Sequence, residues 1–350
     1  MVAKGSLVLE DGTVFEGISF GYPVSSSGEV VFNTGMVGYP ESLTDPSYRG
    51  QILSFTYPMI GNYGVPRDSK SNGLSRVFES DSIHASGVIV SDYSENYSHW
   101  NAAMSLGKWL RSNGIPALEG IDTRSLTKIL RERGTINGRI IIGKEAKEVK
   151  RNPIEEVSIK KPVAYGNGKK KIVLIDCGVK NSILHSLLAR DVSIIRVPWD
   201  YDIFSLKFDG LLVSNGPGDP KNAEKAIENV RKAIELDIPT FGICLGNQIM
   251  ALAAGGDTYK MRYGHRSQNQ PCLMEGTKRC YITSQNHGYA ASLDGAGGEW
   301  KPLFTNLNDG TNEGIVHRSG RFFSVQFHPE ANPGPTDTSA MFDRFLGLLR

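Results

Sequence analysis

The 350-residue chain carries 39 Lys and Arg against 37 Asp and Glu, a near-balance that excludes both a global basic field for nucleic acid and the acidic excess of a disordered tail. Its four cysteines (Cys177, Cys244, Cys272, Cys280) form no C-x-x-C pair and fall short of a secreted disulfide scaffold, which points to a small ligand and a reducing cytoplasm. Residues 1–10 lack the apolar core of a signal peptide, no run approaches the roughly 18 apolar residues of a membrane span, and the length suits two domains, or three.

In chain order, residues 6–20 alternate apolar and polar positions around Asp11-Gly12, the signal of a hairpin. Further strands are expected at 29–34, 51–56 and 86–91. Amphipathic helices follow at 101–112, stopped by Gly114, and 123–133, stopped by Gly134, then a strand at 138–142. These elements predict a β-rich α+β domain over 1–143. Between 144 and 170 the apolar period lapses, Pro153 and Pro162 interrupt, and a Gly-Asn-Gly-Lys-Lys-Lys run appears, so this stretch reads as a linker. Gly168-Lys169 does not complete the phosphate-loop pattern.

Beyond the linker the rhythm changes. Strands at 171–176, 193–198 and 210–214 alternate with helices at 180–189 and 223–235, and another strand leads into Cys244. The alternation predicts a doubly wound, mostly parallel α/β sheet over 171–350, with reactive groups at the carboxyl ends of its strands. After Gly255-Gly256 the chain is strand-rich, at 279–284, 314–318 and 321–327, before a closing helix at 337–349.

Pro239–Leu252 is the stretch with the most chemistry. Gly242 and Gly246 flank Cys244 at i−2 and i+2, the spacing of a sharp strand-to-helix elbow that holds a nucleophile clear of its neighbours. A thiol at the first turn of a helix feels the positive end of the dipole, which favours thiolate. The alternative is a buried cysteine that only packs. A nucleophile needs a base, and the strongest candidate is His328 in Ser324-Val-Gln-Phe-His-Pro-Glu330; in extended backbone Glu330 would share its face and fix its tautomer. A solvated strand end is the competing account. Oxyanion donors are expected from the Leu245 N–H, directly after the nucleophile, and from the Gly216 N–H in Ser214-Asn-Gly-Pro-Gly-Asp-Pro220; that loop could instead only reverse the chain.

Gly242-Ile-Cys-Leu-Gly-Asn-Gln248, Ser214–Pro220 and His328-Pro-Glu330 together resemble the class I (triad) glutamine amidotransferases. Within that class the chain is similar to the small, glutamine-hydrolysing subunits of carbamoyl-phosphate synthase, through Gly28–Thr34, Gly38–Tyr48, Ile121–Arg124, Asp176–Asn181, Ser284–Gly288 and Glu330–Pro335. The resemblance spans nearly the whole chain. It implies Cys244, His328 and Glu330 as nucleophile, base and orienting acid. It further implies Ser47, Gly216, Gly218, Leu245, Gln248, Asn286, Gly288 and Tyr289 as contacts to L-glutamine, with no metal and no cofactor in this chain. A large partner subunit would use ATP and Mg to turn ammonia and bicarbonate into carbamoyl phosphate for arginine and pyrimidine synthesis. The chain departs from the family at Asn247, often His, and at Ser267-Gln-Asn-Gln-Pro271, often Gly-Gly-Asn-His-Pro. Two rival functions stay open: a stand-alone γ-glutamyl cysteine hydrolase, and a non-catalytic regulatory subunit.

Overall fold

The structure, a computed structural model, describes residues 3–143 and 152–349. The chain forms two compact units, Met1–Arg151 and Asn152–Arg350.

The first unit begins with the expected hairpin: β1 (Lys4–Leu9) and β2 (Val14–Ser19) pair antiparallel around a turn with Gly12 at φ 86°. Five more strands follow, β3 (Ser26–Asn33), β4 (Gln51–Phe55), β5 (Gly87–Ile89), β6 (Ala117–Glu119) and β7 (Ile136–Ile141). All seven close into a barrel in the order β1-β7-β3-β4-β5-β6-β2. Closure leaves these strands without a free edge. Val31, Leu53, Phe55, Val88 and Ala117 contribute to a core that also takes in Leu43, Leu106 and Leu110.

Helices decorate this barrel. A short α1 (Tyr39–Thr44), which has no clear apolar period, precedes a 3-10 turn at Pro46–Tyr48 whose Ser47 N–H donates to Asp45 Oδ1 at 2.9 Å. The helix expected from 101 begins only at Leu106, as α2 (Leu106–Ser112). Ser105 caps it by accepting from the Lys108 N–H, and Ala102–Met104 is drawn off to pair with Val65–Pro66. By contrast α3 (Thr123–Arg133) matches its expected limits, because both ends are signalled locally: Asp122 accepts from the Ser125 N–H at 2.8 Å and Gly134 takes φ 100° at the C-cap.

Of the stretch read as a linker, 144–151 lies outside the described residues, while 152–170 carries structure within the second unit. Asn152 caps α4 (Pro153–Val157), which buries Ile154 completely, and β8 (Val163–Tyr165) adds antiparallel to a sheet edge. One apolar anchor and a cap suffice for so short a helix, and neither produces a period.

Ten strands form the second unit's sheet. After β8 come β9 (Lys170–Asp176), β10 (Val192–Pro198), β11 (Gly210–Val213), β12 (Thr240–Ile243), β13 (Asp257–Met274), β14 (Cys280–Ser292), β15 (Trp300–Asn306), β16 (Asn312–His317) and β17 (Phe322–Val325). Their order is β8-β10-β9-β11-β12-β17-β16-β15-β13-β14. The expectation of a mostly parallel sheet needs correcting. Strands β10, β9, β11, β12 and β17 are parallel, but every other pairing is antiparallel, so the sheet is mixed. Helical crossovers α5 (Asn181–Leu188), α6 (Glu224–Glu235) and α7 (Leu245–Ala253) occur only in the first half. After α7 the chain runs through the hairpin β13–β14 and the meander β15–β16–β17, which pair strands antiparallel, and α8 (Ala340–Leu348) closes it. Val173, Ile175, Leu211, Val213, Val230, Ile249 and Met250 pack the core around the parallel strands. Among the described residues, no helix is long and apolar enough to cross a membrane.

Candidate active site

Strand β12 ends at Ile243 and helix α7 starts at Leu245, so Cys244 alone makes the turn between them, at φ 56° and ψ −104°. Left-handed backbone at a residue with a Cβ costs about 1–3 kcal/mol and persists only where the surroundings enforce it. The flanking glycines show what enforces it. A Cβ on Gly242 would lie 2.4 Å from Gly246 O, and one on Gly246 would lie 2.2 Å from Val213 O. Strand and helix backbones thus touch at the elbow, and any side chain there would force them apart. The Cys244 thiol is 2% exposed and donates to Asn286 O at 3.6 Å. Helix geometry leaves the N–H of Leu245, in the first turn of α7, without an intrahelical partner. Gly216 sits beside it, for an added Cβ would meet Cys177 O at 2.1 Å and Leu245 Cδ2 at 2.9 Å.

His328 and Glu330 follow β17, the strand next to β12. Their contact is real but arises differently from the extended geometry expected. The Ala331 N–H donates to His328 O at 3.1 Å, so the pair lies in a turn, and His328 Nδ1 lies 2.6 Å from Glu330 Oε1. Burial alone would depress the His328 pKa; the Glu330 carboxylate and the nearby Cys244 sulphur outweigh it and raise the pKa to about 10. His328 Nε2 has no conventional hydrogen-bond partner, a common condition of reactive groups before substrate arrives. Burial would likewise raise Glu330, yet it is held down to about 2 by Lys180 and by His328.

Lys180 is the residue that sequence reasoning missed. Its side chain is 4% exposed, and its Nζ donates to Glu330 Oε1 at 3.0 Å and to Ala331 O at 2.8 Å. It stands at the N-cap of α5, in a loop folded back by Asp176, whose Oδ1 accepts from the Gly178 and Val179 N–H groups. The other oxygen, Oδ2, accepts from the Ile159 N–H and twice from Arg196. A lysine opening an amphipathic helix reads as solvated surface. The available signal was its place in Asp176–Asn181, one of the stretches carrying the resemblance.

Comparison with known proteins bears on the whole chain. The family model "Glutamine amidotransferase class-I" matches residues 173–348, and "Carbamoyl-phosphate synthase small chain, CPSase domain" matches residues 7–140. The carbamoyl phosphate synthase arginine-specific small chain of Aspergillus clavatus is 48% identical over 362 residues, covering 99% of this chain and 80% of that protein. The chain belongs to the carbamoyl-phosphate synthase small chain family. The multifunctional protein CAD of Squalus acanthias is 53% identical across 99% of this chain, and the mitochondrial carbamoyl-phosphate synthase [ammonia] of Homo sapiens is 50% identical across 98%. The chain spans only 16% and 24% of those two proteins.

The remaining small-chain positions divide between the two units. Ser47 belongs to the N-terminal unit, where it is buried. Gln248, Asn286, Gly288 and Tyr289 are brought together around the elbow: Gln248 Nε2 donates to Tyr289 O at 2.9 Å, and Asn286 O receives the Cys244 thiol. Gly218 keeps φ 89° in its loop, where a Cβ would lie 2.7 Å from Pro153 Cγ. Asn247, which departs from the small-chain pattern, is fully buried under the elbow. It accepts from Ser324 Oγ at 2.8 Å and donates to Gln326 Oε1 at 3.0 Å, so it ties α7 to β17 and the segment after it. The second departure falls where β13 and β14 shift register, between Ser267 and Gln270; pairing resumes at Gln270 with Thr283.

Proposed function

We propose that this chain hydrolyses glutamine and delivers the ammonia to a large, ATP-dependent carbamoyl-phosphate synthase chain. The observation that carries the reading is the triad: a thiol on a strained elbow, beside a histidine whose far nitrogen is held at 2.6 Å by a buried, ionised glutamate. Family membership alone leaves the point open, since one relative is named for ammonia.

With a pKa near 10, His328 is an imidazolium at neutral pH, a protonation state that suits a thiolate at Cys244. The thiolate attacks the side-chain amide carbon of glutamine, and the developing oxyanion is received by the Leu245 and Gly216 N–H groups. His328 gives its Nε2 proton to the leaving nitrogen as the C–N bond breaks, releasing ammonia and leaving a γ-glutamyl thioester. Forming the thioester removes the sulphur's negative charge, one of the groups that raises His328. Its pKa therefore falls, and the neutral imidazole takes a proton from water as the water attacks the thioester. Glutamate leaves and the thiolate returns. Glu330 holds the tautomer throughout, and Gly218, Gln248, Asn286, Gly288 and Tyr289 orient the substrate.

Ammonia released into neutral water becomes ammonium and loses its nucleophilicity, so the reaction serves a synthesis only through a sheltered route to an acceptor site. A large partner that consumes ATP with Mg and bicarbonate would provide that site, in the cytoplasm and for arginine or pyrimidine synthesis. The N-terminal domain expected over residues 1–143 would dock it. The match of residues 7–140 to the small-chain domain disfavours a stand-alone γ-glutamyl hydrolase. The test is carbamoyl phosphate formation by the chain co-purified with its large partner, with glutamine or with ammonia as nitrogen source. Activity with ammonia alone would favour the non-catalytic regulatory reading, whereas activity with both supports the glutaminase.

A further inference from the structure

Behind the Asn286–Tyr289 edge of β14 lies a buried polar cluster for which the triad has no use. Its members are His265 on β13, Gln285 and His287 on β14, and Glu313 on β16; Glu313 is 0% exposed. His265 Nδ1 lies 3.2 Å from Glu313 Oε1, and its Nε2 lies 2.9 Å from Asp309 Oδ2. The Gln285 side-chain oxygen lies 2.8 Å from His265 Nδ1 and 3.0 Å from His287 Nε2, while Gln285 Nε2 donates to Glu313 Oε2 at 2.9 Å. Asn306 Nδ2 and Thr311 Oγ1 also donate to Glu313 Oε1. The ligating atoms of His265, His287 and Glu313 all lie within 4.8 Å of one another, as a cation would require. The Gln285 amide contacts all three residues.

The cluster meets the elbow's surroundings at the Tyr289 carbonyl. His287 Nδ1 lies 2.8 Å from Tyr289 O, the same carbonyl that accepts from Gln248 Nε2. We propose that His265 and Glu313 are positioning residues for glutamine: acting through Gln285 and His287, they hold the Tyr289 carbonyl, and with it Gln248 and the strand edge beside Cys244. The inference rests on the glutaminase reading of the same site.

The electrostatics agree with this geometry. Burial would lower His265, but Glu313 and Asp309 outweigh it and raise its pKa. His287 is held well below its ordinary value by burial and by the neighbouring His265 charge. A neutral His287 carries one proton; on Nδ1 it is donated to Tyr289 O, and Nε2 then packs against the Gln285 oxygen without a hydrogen bond, while burial also raises Glu313 above its ordinary value. Partly satisfied buried networks are costly, so removing a member disturbs its neighbours, among them the His287 ring that meets Tyr289 O.

The test measures glutamine KM and kcat on the complex with the large partner, together with the rate at which iodoacetamide alkylates Cys244. That small electrophile needs the thiolate but none of the glutamine contacts. Glu313→Ala leaves several buried donors without their acceptor and is expected to raise KM about tenfold or more, with kcat and alkylation close to wild type. Glu313→Gln keeps an acceptor at one of the two oxygen positions and places an NH2 against a donor at the other, so it is expected to restore part of the affinity. Asp309→Asn lies at the rim, with a side chain 40% exposed, and spares the interior should Glu313→Ala fail to fold. It lowers the pKa of His265, so its KM is expected to rise above wild type and to rise further with increasing pH. Unchanged KM in both Glu313→Ala and Asp309→Asn overturns the inference, as does a joint loss of kcat and alkylation, which would mark simple collapse of the site. A wild-type complex that alkylates normally but never hydrolyses glutamine removes the glutaminase reading itself, and the inference with it.

Discussion

Lys180 Nζ and Glu330 Oε1 are 3.0 Å apart, although 150 residues separate them in the chain, and neither side chain is more than 4% exposed. The same carboxylate oxygen receives His328 Nδ1. The proposed orienting acid is therefore charge-balanced by an ammonium group on a different strand-to-helix loop.

Replacing that ammonium with a shape-preserving apolar chain leaves a buried carboxylate uncompensated. Lys180→Met is expected to destabilise the protein by about 3–5 kcal/mol and to raise the pKa of Glu330, weakening its hold on His328. Denaturant unfolding and single-turnover acylation check the two halves. A variant as stable and as fast as wild type would show that the contact is incidental.

Stability should depend on pH in a way set by the triad's acid and base. Glu330 is depressed from 4.5 to about 2, so its contribution is complete above 4.5 and disappears as pH falls through 2. His328 is raised from 6.5 to about 10, so its contribution is complete below 6.5 and disappears as pH rises through 10. The Tm difference between wild type and His328→Asn/Glu330→Gln is therefore expected to be largest between 4.5 and 6.5 and to shrink on both sides. A difference that stays constant with pH would refute the assignment of these shifts.

The four cysteines should separate cleanly. Cys244→Ser is expected to abolish glutamine-dependent synthesis while sparing the ammonia-dependent reaction. Burial pushes the thiols of Cys177 and Cys272 up, and Cys280 is exposed, away from the elbow. Alanine at each of these three should keep glutaminase activity, with only Cys177→Ala and Cys272→Ala losing some stability as small cavities open. A loss at any of them matching that of Cys244→Ser would call for a different nucleophile.

His328 and His287 are the two candidates for the base, and rapid-quench acylation distinguishes them. His328→Ala is expected to slow thioester formation by about 10²–10⁴, the usual contribution of a general acid–base group. His287→Ala should affect acylation far less, because its ring nitrogens face Tyr289 O and Gln285 Oε1. The reverse ranking would transfer the base role to His287.

Gly216→Ala probes the oxyanion loop without touching the triad. An added Cβ would meet Cys177 O at 2.1 Å, so the loop must shift away from Leu245. Loss of one oxyanion donor is expected to lower kcat by about 10²–10³ with little change in Cys244 alkylation. An unchanged kcat would exclude Gly216 as a donor.

What the sequence by itself determined is chemistry confined to a few consecutive residues. Gly242, Cys244 and Gly246 define an elbow because a nearby backbone tolerates no side chain at the two glycines, and such a constraint leaves its mark in the spelling. Asp122 and Gly134 delimit α3 for the same reason: a cap is a bond between near neighbours. His328 and Glu330 were legible as a pair, although a turn brings them together rather than an extended strand.

Only the tertiary structure decided the rest. Barrel closure joins β1 to β7 across more than a hundred residues, and the antiparallel half of the sheet follows from hairpins whose order no local pattern states. Lys180 balances Glu330, and Glu313 meets His265, across separations at which residue type carries no information about partners. In sequence a buried lysine and a buried glutamate look like solvated surface. What distinguishes them is the desolvation that the surrounding strands impose, and that exists only once the chain has folded.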